Sequence, residues 1–318
     1  MKNKILITGG GGFIGSHLTK KLNSLGYKVV IVDRINGNSS QLKKDRLKKF
    51  LNPNEYTFYN SELSDIKTVK KIFQKNKFDV ICHLAAKTNL EFNTELYNRT
   101  NILGTISIFE LAREFKVPKV IFASSSMVYG NNAKQPFSET DNTDNPLSIY
   151  AASKKSDEVL AYTYHYLHNI KMVGLRFFTA YGAWGRPDTS ISSFTEQIIN
   201  NKPIKIHNFG KIKKDFTYIE DIINGIVASI EKDFDYEIFN LGSGQSIELK
   251  KIIGLIEKNL GIKAQKKYVA MHPGDLPETR ADIKKAQELL DFKPTVEIEE
   301  GIKKFIDWHK QYHLINTK

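Results

Sequence analysis

Along the first half of the chain, short apolar runs alternate with stretches whose apolar residues recur every three or four positions. Lys4–Thr8 is a short apolar run and predicts a buried strand. Phe13, Ile14, Leu18, Leu22 and Leu25 follow at helical spacing and stop at Gly26, a residue suited to a left-handed helix end. Val29–Val32 is a β-branched strand, and Phe78–Leu84, Val117–Ala123 and Met172–Phe177 read the same way. Helical patterns fall near 65–75, 98–115 and 149–168. Strand and helix in alternation predict an α/β fold of Rossmann type, a doubly wound parallel sheet.

From about residue 179 the pattern loosens. Gly182, Gly185 and Pro187 crowd one loop, and further helices are expected at 219–231, 248–260, 282–290 and 298–311. The division read from this is residues 1–178 as a dinucleotide-binding domain and 179–318 as a smaller C-terminal α/β substrate domain, with some later segments returning to the first. No repeat, low-complexity tract or Ser/Gly linker separates the halves, so a cleft between closely packed halves is expected.

The chain has 318 residues, of which 41% are hydrophobic and 26% charged, enough apolar side chains for a sizeable core. Wholesale disorder is excluded. No window approaches 18 uncharged apolar residues, so no membrane span is expected. The apolar stretch after Met1 is too short for a signal peptide. With Cys82 as its single cysteine the chain has no internal disulfide, and the expected setting is a reducing cytoplasm. The formal charge of +12 raises nucleic-acid binding, but the lysines sit in scattered doublets with no basic arm or aromatic-interleaved motif. A solvated basic surface or an anionic small-molecule site is the expectation instead. The eight histidines show no zinc spacing, and no metal is expected.

Two local patterns carry chemistry. Gly9, Gly12 and Gly15 join the first strand to the first helix, a turn that lets backbone N–H groups approach a pyrophosphate at a helix N-terminus. Asp33 ends the second strand, 18 residues past Gly15, where an acid can accept from the ribose hydroxyls of NAD and repel the extra phosphate of NADP. Arg34 beside it blurs that choice, and a plain strand-end turn residue is the alternative for Asp33. The second pattern is Tyr150 and Lys154, one helical turn apart. A lysine so placed stabilises a phenolate, which allows Tyr150 to act as a general base near neutral pH. A helix-surface pair is the plainer alternative. Ser124, Ser125 and Ser126 stand at the carboxyl end of a strand, the rim where ligands bind open α/β sheets.

Taken together with His83-Leu84-Ala85-Ala86, Asn101 to Thr105, Ser124 to Gly130, Tyr150 to Lys154, Arg176 to Asp188, Asp215 to Tyr218 and Thr279 to Asp282, the sequence resembles the extended short-chain dehydrogenase/reductases. It resembles specifically their NAD-dependent epimerase/dehydratase branch, almost end to end. The resemblance implies C4 epimerisation of a UDP-sugar, UDP-glucuronate foremost, with UDP-glucose or UDP-N-acetylglucosamine as the alternative. A non-catalytic NAD-binding regulator would lack the Tyr150/Lys154 pair. The resemblance places Gly9, Gly12, Phe13, Ile14, Gly15, Asp33, Glu62, Leu63, Leu84, Ala85, Ala86 and Asn101 at NAD, beside Tyr150 and Lys154. It makes Ser125, with Ser126 next to it, the hydroxyl bridging sugar O4 and the tyrosine. Lys214, Asp275 and Arg280 fall at the UDP diphosphate and ribose, and Thr179 and Arg186 at the sugar carboxylate. For Arg186 a surface pair with Asp188 is the alternative, and for Asn101 simple capping or packing. Three departures stand out against the family: Lys214 for arginine, Glu62 for aspartate and Met127 for threonine. A 4,6-dehydratase needs an acidic pair after the catalytic hydroxyl, where this chain has Ser126-Met127. The family further implies a homodimer built through helices near 98–115 and 149–168.

Overall fold

The seven strands of the main sheet are all parallel, and the five inner ones are buried on both faces, which is why those read as unbroken apolar runs rather than as alternations. In the computed structural model, which describes residues 3–35, 40–88, 94–132, 134–271 and 276–316, the first six are β1 (Lys4–Thr8), β2 (Lys28–Asp33), β3 (Tyr56–Asn60), β4 (Val80–His83), β5 (Lys119–Ser125) and β6 (Lys171–Phe177). Their order across the sheet is β3-β2-β1-β4-β5-β6, and Tyr236–Leu241 adds a seventh strand beside β6. The order reverses between β1 and β4, so the two chains leaving their carboxyl ends diverge and open a crevice.

Helix α1 (Phe13–Ser24) begins directly after the glycines, and Gly26 past its end adopts φ +83°. The helix expected near 98–115 is three pieces: Thr94–Tyr97, a wide i→i+5 segment Asn98–Leu103, and Gly104–Glu114. The long helix Ile149–His168 is started by Ser148, whose hydroxyl accepts from Ala151 N at 3.1 Å, and stopped by Asn169 in the left-handed region. Helices Ile219–Glu231, Leu249–Leu260, Lys284–Leu290 and Ile298–Asn316 follow in the second half.

The chain leaves the sheet after β6, runs through short strands and the helix Ser190–Ile199, and returns through Ile219–Glu231, which packs beside α1. One apolar cluster joins Ile5 and Ile31 under the sheet to Ile198, Ile252 and Phe305 beyond it. A shared core of this kind fixes the two sides of the crevice relative to each other. No helix among the described residues is long and apolar enough to cross a membrane.

Candidate active site

The glycine turn sits at the mouth of the crevice. Gly9 has φ +72°, and a side chain there would put its Cβ 2.8 Å from the backbone of Ala85. At Gly15 a Cβ would lie 2.4 Å from the Gly9 carbonyl oxygen, so the first turn of α1 can approach the loop only without one. Gly12 N donates to Gly9 O at 2.8 Å, closing the turn. Phe13 is buried and Ile14 half-buried at the start of α1, while Leu84, Ala85 and Ala86 leave β4 directly opposite. Ala85 N donates to the Thr8 hydroxyl at 3.2 Å. The result is a side-chain-free cradle at a helix N-terminus, the shape and charge a pyrophosphate needs.

Asp33 ends β2 as expected, but its carboxylate is already engaged. It accepts from Gly11 N at 2.9 Å, Arg34 N at 2.7 Å and Lys43 Nζ at 2.7 Å. Glu62, just past β3, pairs with Arg34 and Arg99. Leu63 beside it is buried against Gly104. Asn101 is fully buried and works as a tie rather than a cap: its carboxamide accepts from Lys87 N at 2.7 Å and donates to Lys87 O at 3.0 Å and Ser153 Oγ at 2.9 Å. It therefore clamps the loop after β4 to the long helix.

The long helix presents Tyr150, half-buried, and Lys154, 1% exposed, and packs against β5 and the turn Ser126–Tyr129. Ser125 closes β5, its hydroxyl accepting from Met127 N at 3.2 Å, and Ser126 opens the turn. Beneath them lies a buried polar network. Arg176 grips Glu158 through Nε at 2.8 Å and Nη2 at 2.9 Å, and Ser124 donates to the same carboxylate at 2.6 Å. Arg176 also donates to the Tyr129 hydroxyl at 3.0 Å, which donates to Asn240 at 2.7 Å. Lys154 Nζ donates to Asp157 at 2.9 Å. Burial alone would lower the Lys154 ammonium, but Asp157 and Tyr150 outweigh it and raise it, so it stays charged. His83, hydrogen-bonded to Thr8 and Thr105 at 2.8 and 2.9 Å, is pushed by burial down to about 3 and is neutral.

Across the crevice, Thr179 opens the strand Thr179–Tyr181, which pairs with Phe216–Tyr218. Arg186 holds Asp188 in a two-point grip, Nε to Oδ1 at 2.9 Å and Nη2 to Oδ2, and also donates to Thr88. The pair is partly exposed, 33% and 43%. Burial disfavours the Asp188 carboxylate, yet the guanidinium outweighs this and keeps its pKa below the ordinary value. Lys214 Nζ donates to Leu276 O at 3.0 Å, with its neighbour Asp215 fully buried. Arg280 has a buried Nε with no partner among the described residues, an orphaned donor that an anion would satisfy. Asp275 lies outside the described residues.

One residue escaped the sequence reading, and a second, Asp215, entered it only as part of a motif, with no role given. Arg46 is buried at 3% exposure and donates to Gly11 O at 3.2 Å, Trp184 O at 2.7 Å and Gly185 O at 3.3 Å. Burial lowers its pKa to about 10. This one guanidinium ties the glycine turn to the loop that carries Arg186. The same loop is braced from outside by Phe50, Trp308 and Tyr312, whose rings surround Trp184. Asp215 is the second. Its carboxylate takes Ser243 N at 2.7 Å, Gly244 N at 3.0 Å and Ala281 N at 3.0 Å, so it fixes the loops around Arg280. Neither has a spacing signal, because each acts on backbone groups far away in sequence. Cys82 is core, its thiol pushed up to about 12 by burial. His165 bonds the Ile170 carbonyl, and no group of metal-ligating side chains occurs among the described residues.

A family model described as GDP-mannose 4,6 dehydratase matches residues 6–305. A UDP-glucuronate 4-epimerase of Thermodesulfobacterium geofontis is 40% identical over 96% of each chain. Among solved structures, a UDP-glucuronic acid 4-epimerase from Bacillus cereus, in complex with UDP-glucuronic acid and NAD, matches at a TM-score of 0.90. It is 35% identical and covers 97% of this chain and 99% of its own. A UDP-glucose 4-epimerase from Thermotoga maritima, with UDP-glucose, also matches at 0.90, with 28% identity over 98% and 99%.

Proposed function

The chain belongs to the GDP-mannose 4,6 dehydratase family of extended short-chain dehydrogenase/reductases, and from that membership we propose that it is an NAD-dependent UDP-glucuronate 4-epimerase. The coarser statement, a nucleotide-sugar 4-epimerase that uses NAD, holds whichever UDP-sugar it takes. What supports the glucuronate reading is the 40% identity to a UDP-glucuronate 4-epimerase over 96% of each chain; Arg186 itself holds Asp188, the pair that the plainer alternative expected, and a ligand carboxylate would have to displace it. A planar guanidinium in that posture is built for a second carboxylate to replace the first.

The cradle of Gly9, Gly12 and Gly15 suits the dinucleotide pyrophosphate, and Asp33 with Lys43 lies where the adenosine ribose would follow. When bound, NAD supplies a reversible hydride acceptor at sugar C4. Tyr150 takes the O4 proton and later returns it, with Lys154 holding the phenolate. The Ser125 hydroxyl bridges sugar O4 and the Tyr150 phenol. Lys214 and Arg280 hold the diphosphate, so the flat 4-keto sugar can turn over without leaving. That intermediate is a β-keto acid and can lose CO₂. Arg186 and Thr179 keep the carboxylate turned so that the breaking bond does not align with the ketone. Loss of water from C6, as in a 4,6-dehydratase, needs acid and base beside Ser125. The Ser126–Tyr129 turn holds no carboxylate.

A homodimer is part of the proposal. Leu103, Val159, Tyr162, Tyr166 and Leu167 are exposed on the two helical segments that would face a second copy. A cytoplasmic setting goes with the single, buried Cys82.

The deciding experiment incubates the purified protein separately with UDP-glucuronate, UDP-glucose and UDP-N-acetylglucosamine and identifies products by NMR. UDP-galacturonate as the dominant product is expected. Faster turnover of either neutral sugar moves the neutral-sugar epimerase ahead.

A further inference from the structure

Lys154 is expected to lend its positive charge to the Tyr150 phenolate, yet in the structure its ammonium already has a carboxylate. Lys154 Nζ lies 2.9 Å from Asp157 Oδ2, and both side chains are 1% exposed. We infer that Asp157 is a positioning residue that sets the net charge around the Tyr150 phenol, by holding Lys154 as half of a buried ion pair. This rests on the reading of Tyr150 as the base.

The surroundings single out Asp157. On the same helix, Glu158 faces Lys154 as well, but Arg176 and Ser124 take up its carboxylate. From β4 comes His83, kept neutral by burial. From the helix Gly104–Glu114 comes Thr105, whose hydroxyl bonds the Asn101 carbonyl and also contacts the Asp157 carboxylate. From the Asn98–Leu103 segment comes Asn101, already bound to Lys87 and Ser153. β5 offers only the hydroxyls of Ser124 and Ser125. Asp157 is thus the carboxylate here without an arginine partner, and its Oδ1 is buried with no hydrogen bond among the described residues.

A lone buried ammonium would favour the phenolate strongly. An ammonium facing a carboxylate presents a dipole, and its pull on a nearby negative charge is weaker. Asp157 therefore helps to keep Lys154 protonated and weakens the pull of its charge on a phenolate. Removing its charge is expected to move the two limbs of a bell-shaped pH profile the same way, to lower pH.

The test is Asp157→Asn, which keeps the size and an oxygen for Lys154. Two readouts are taken: kcat against pH, and phenolate absorbance in the near ultraviolet, measured as the difference from Tyr150→Phe. We expect both to move to lower pH by on the order of one unit, the size of a changed buried charge contact. Asp157→Ser removes the charge in a smaller volume and replaces Asp157→Asn if that variant does not fold. A purely structural Asp157 lowers activity or stability and leaves both curves in place, which overturns the proposal. Retained activity in Tyr150→Phe sinks the base reading instead, while the phenol titration still reports on Asp157.

Discussion

Two ion pairs stand on opposite sides of the crevice, and they are built on opposite principles. Lys154–Asp157 is sealed at 1% exposure on each side, whereas Arg186–Asp188 keeps 33% and 43%. Taking one partner from a buried pair strands a charge and costs roughly 3–5 kcal/mol. An exposed pair contributes about 0–1 kcal/mol, so a ligand carboxylate can take over one half of it at little cost. Folding thus completes the cofactor side, and the substrate side is left for the substrate to complete. Arg46 keeps the two in register by bonding Gly11 on one and Trp184 on the other.

If that contrast is sound, the largest effect comes from the sealed side. Tyr150→Phe should lower kcat at least ~10²-fold, the lower range for removal of a general base, and leave UDP-sugar affinity by calorimetry nearly unchanged. Wild-type turnover in this variant would mean that the base lies elsewhere.

On the open side the damage should be smaller and selective. Arg186→Ala should lower kcat/KM for UDP-glucuronate about 10- to 100-fold, the loss of a charge-assisted contact of roughly 1.5–3 kcal/mol. It should also let some 4-keto intermediate lose CO₂, seen as a decarboxylated product and accumulating NADH absorbance. Any turnover of UDP-glucose should barely change. Equal damage to both sugars with no decarboxylation would make Arg186 a structural residue.

The smallest expected effect sharpens the comparison most. Asp188→Asn removes the carboxylate that the substrate must displace, so KM for UDP-glucuronate should fall, by at most about fivefold given the strength of an exposed pair. A rise in KM would show that Asp188 aims Arg186 rather than competing for it.

The five inner strands of the parallel sheet were legible because strands buried on both faces need unbroken apolar residues, and β1, β2 and β6 supply them within a residue or so of the predicted bounds; the edge strands Tyr56–Asn60 and Tyr236–Leu241, only partly buried, carry no such run and were not read. The long helix was legible from its helical spacing, and Ser148 and Asn169 mark its ends. The broken path from Thr94 to Glu114 was not, because an i→i+5 segment leaves no mark in periodicity; it coincides with the tie between Asn101, Lys87 and Ser153. At the site, glycine positions, Tyr150 and Lys154 stood at recognisable spacings. Arg46, Asp157 and Asp215 did not, although each holds a site element in place.

By itself, then, the sequence determined which groups are present and which local shapes they adopt: a glycine turn that only glycine permits, a phenol one turn before a lysine, an arginine in a tight Gly/Pro loop. Those depend on backbone sterics and periods of a few residues. The tertiary structure alone decided what each charge faces. It gave Asp33 to Gly11 and Lys43, Glu62 to two arginines, Lys154 to Asp157, and Arg186 for the present to Asp188. Charge interactions depend on distance through space and on the water removed between partners. Neither is set until the strands have ordered themselves and the core has closed.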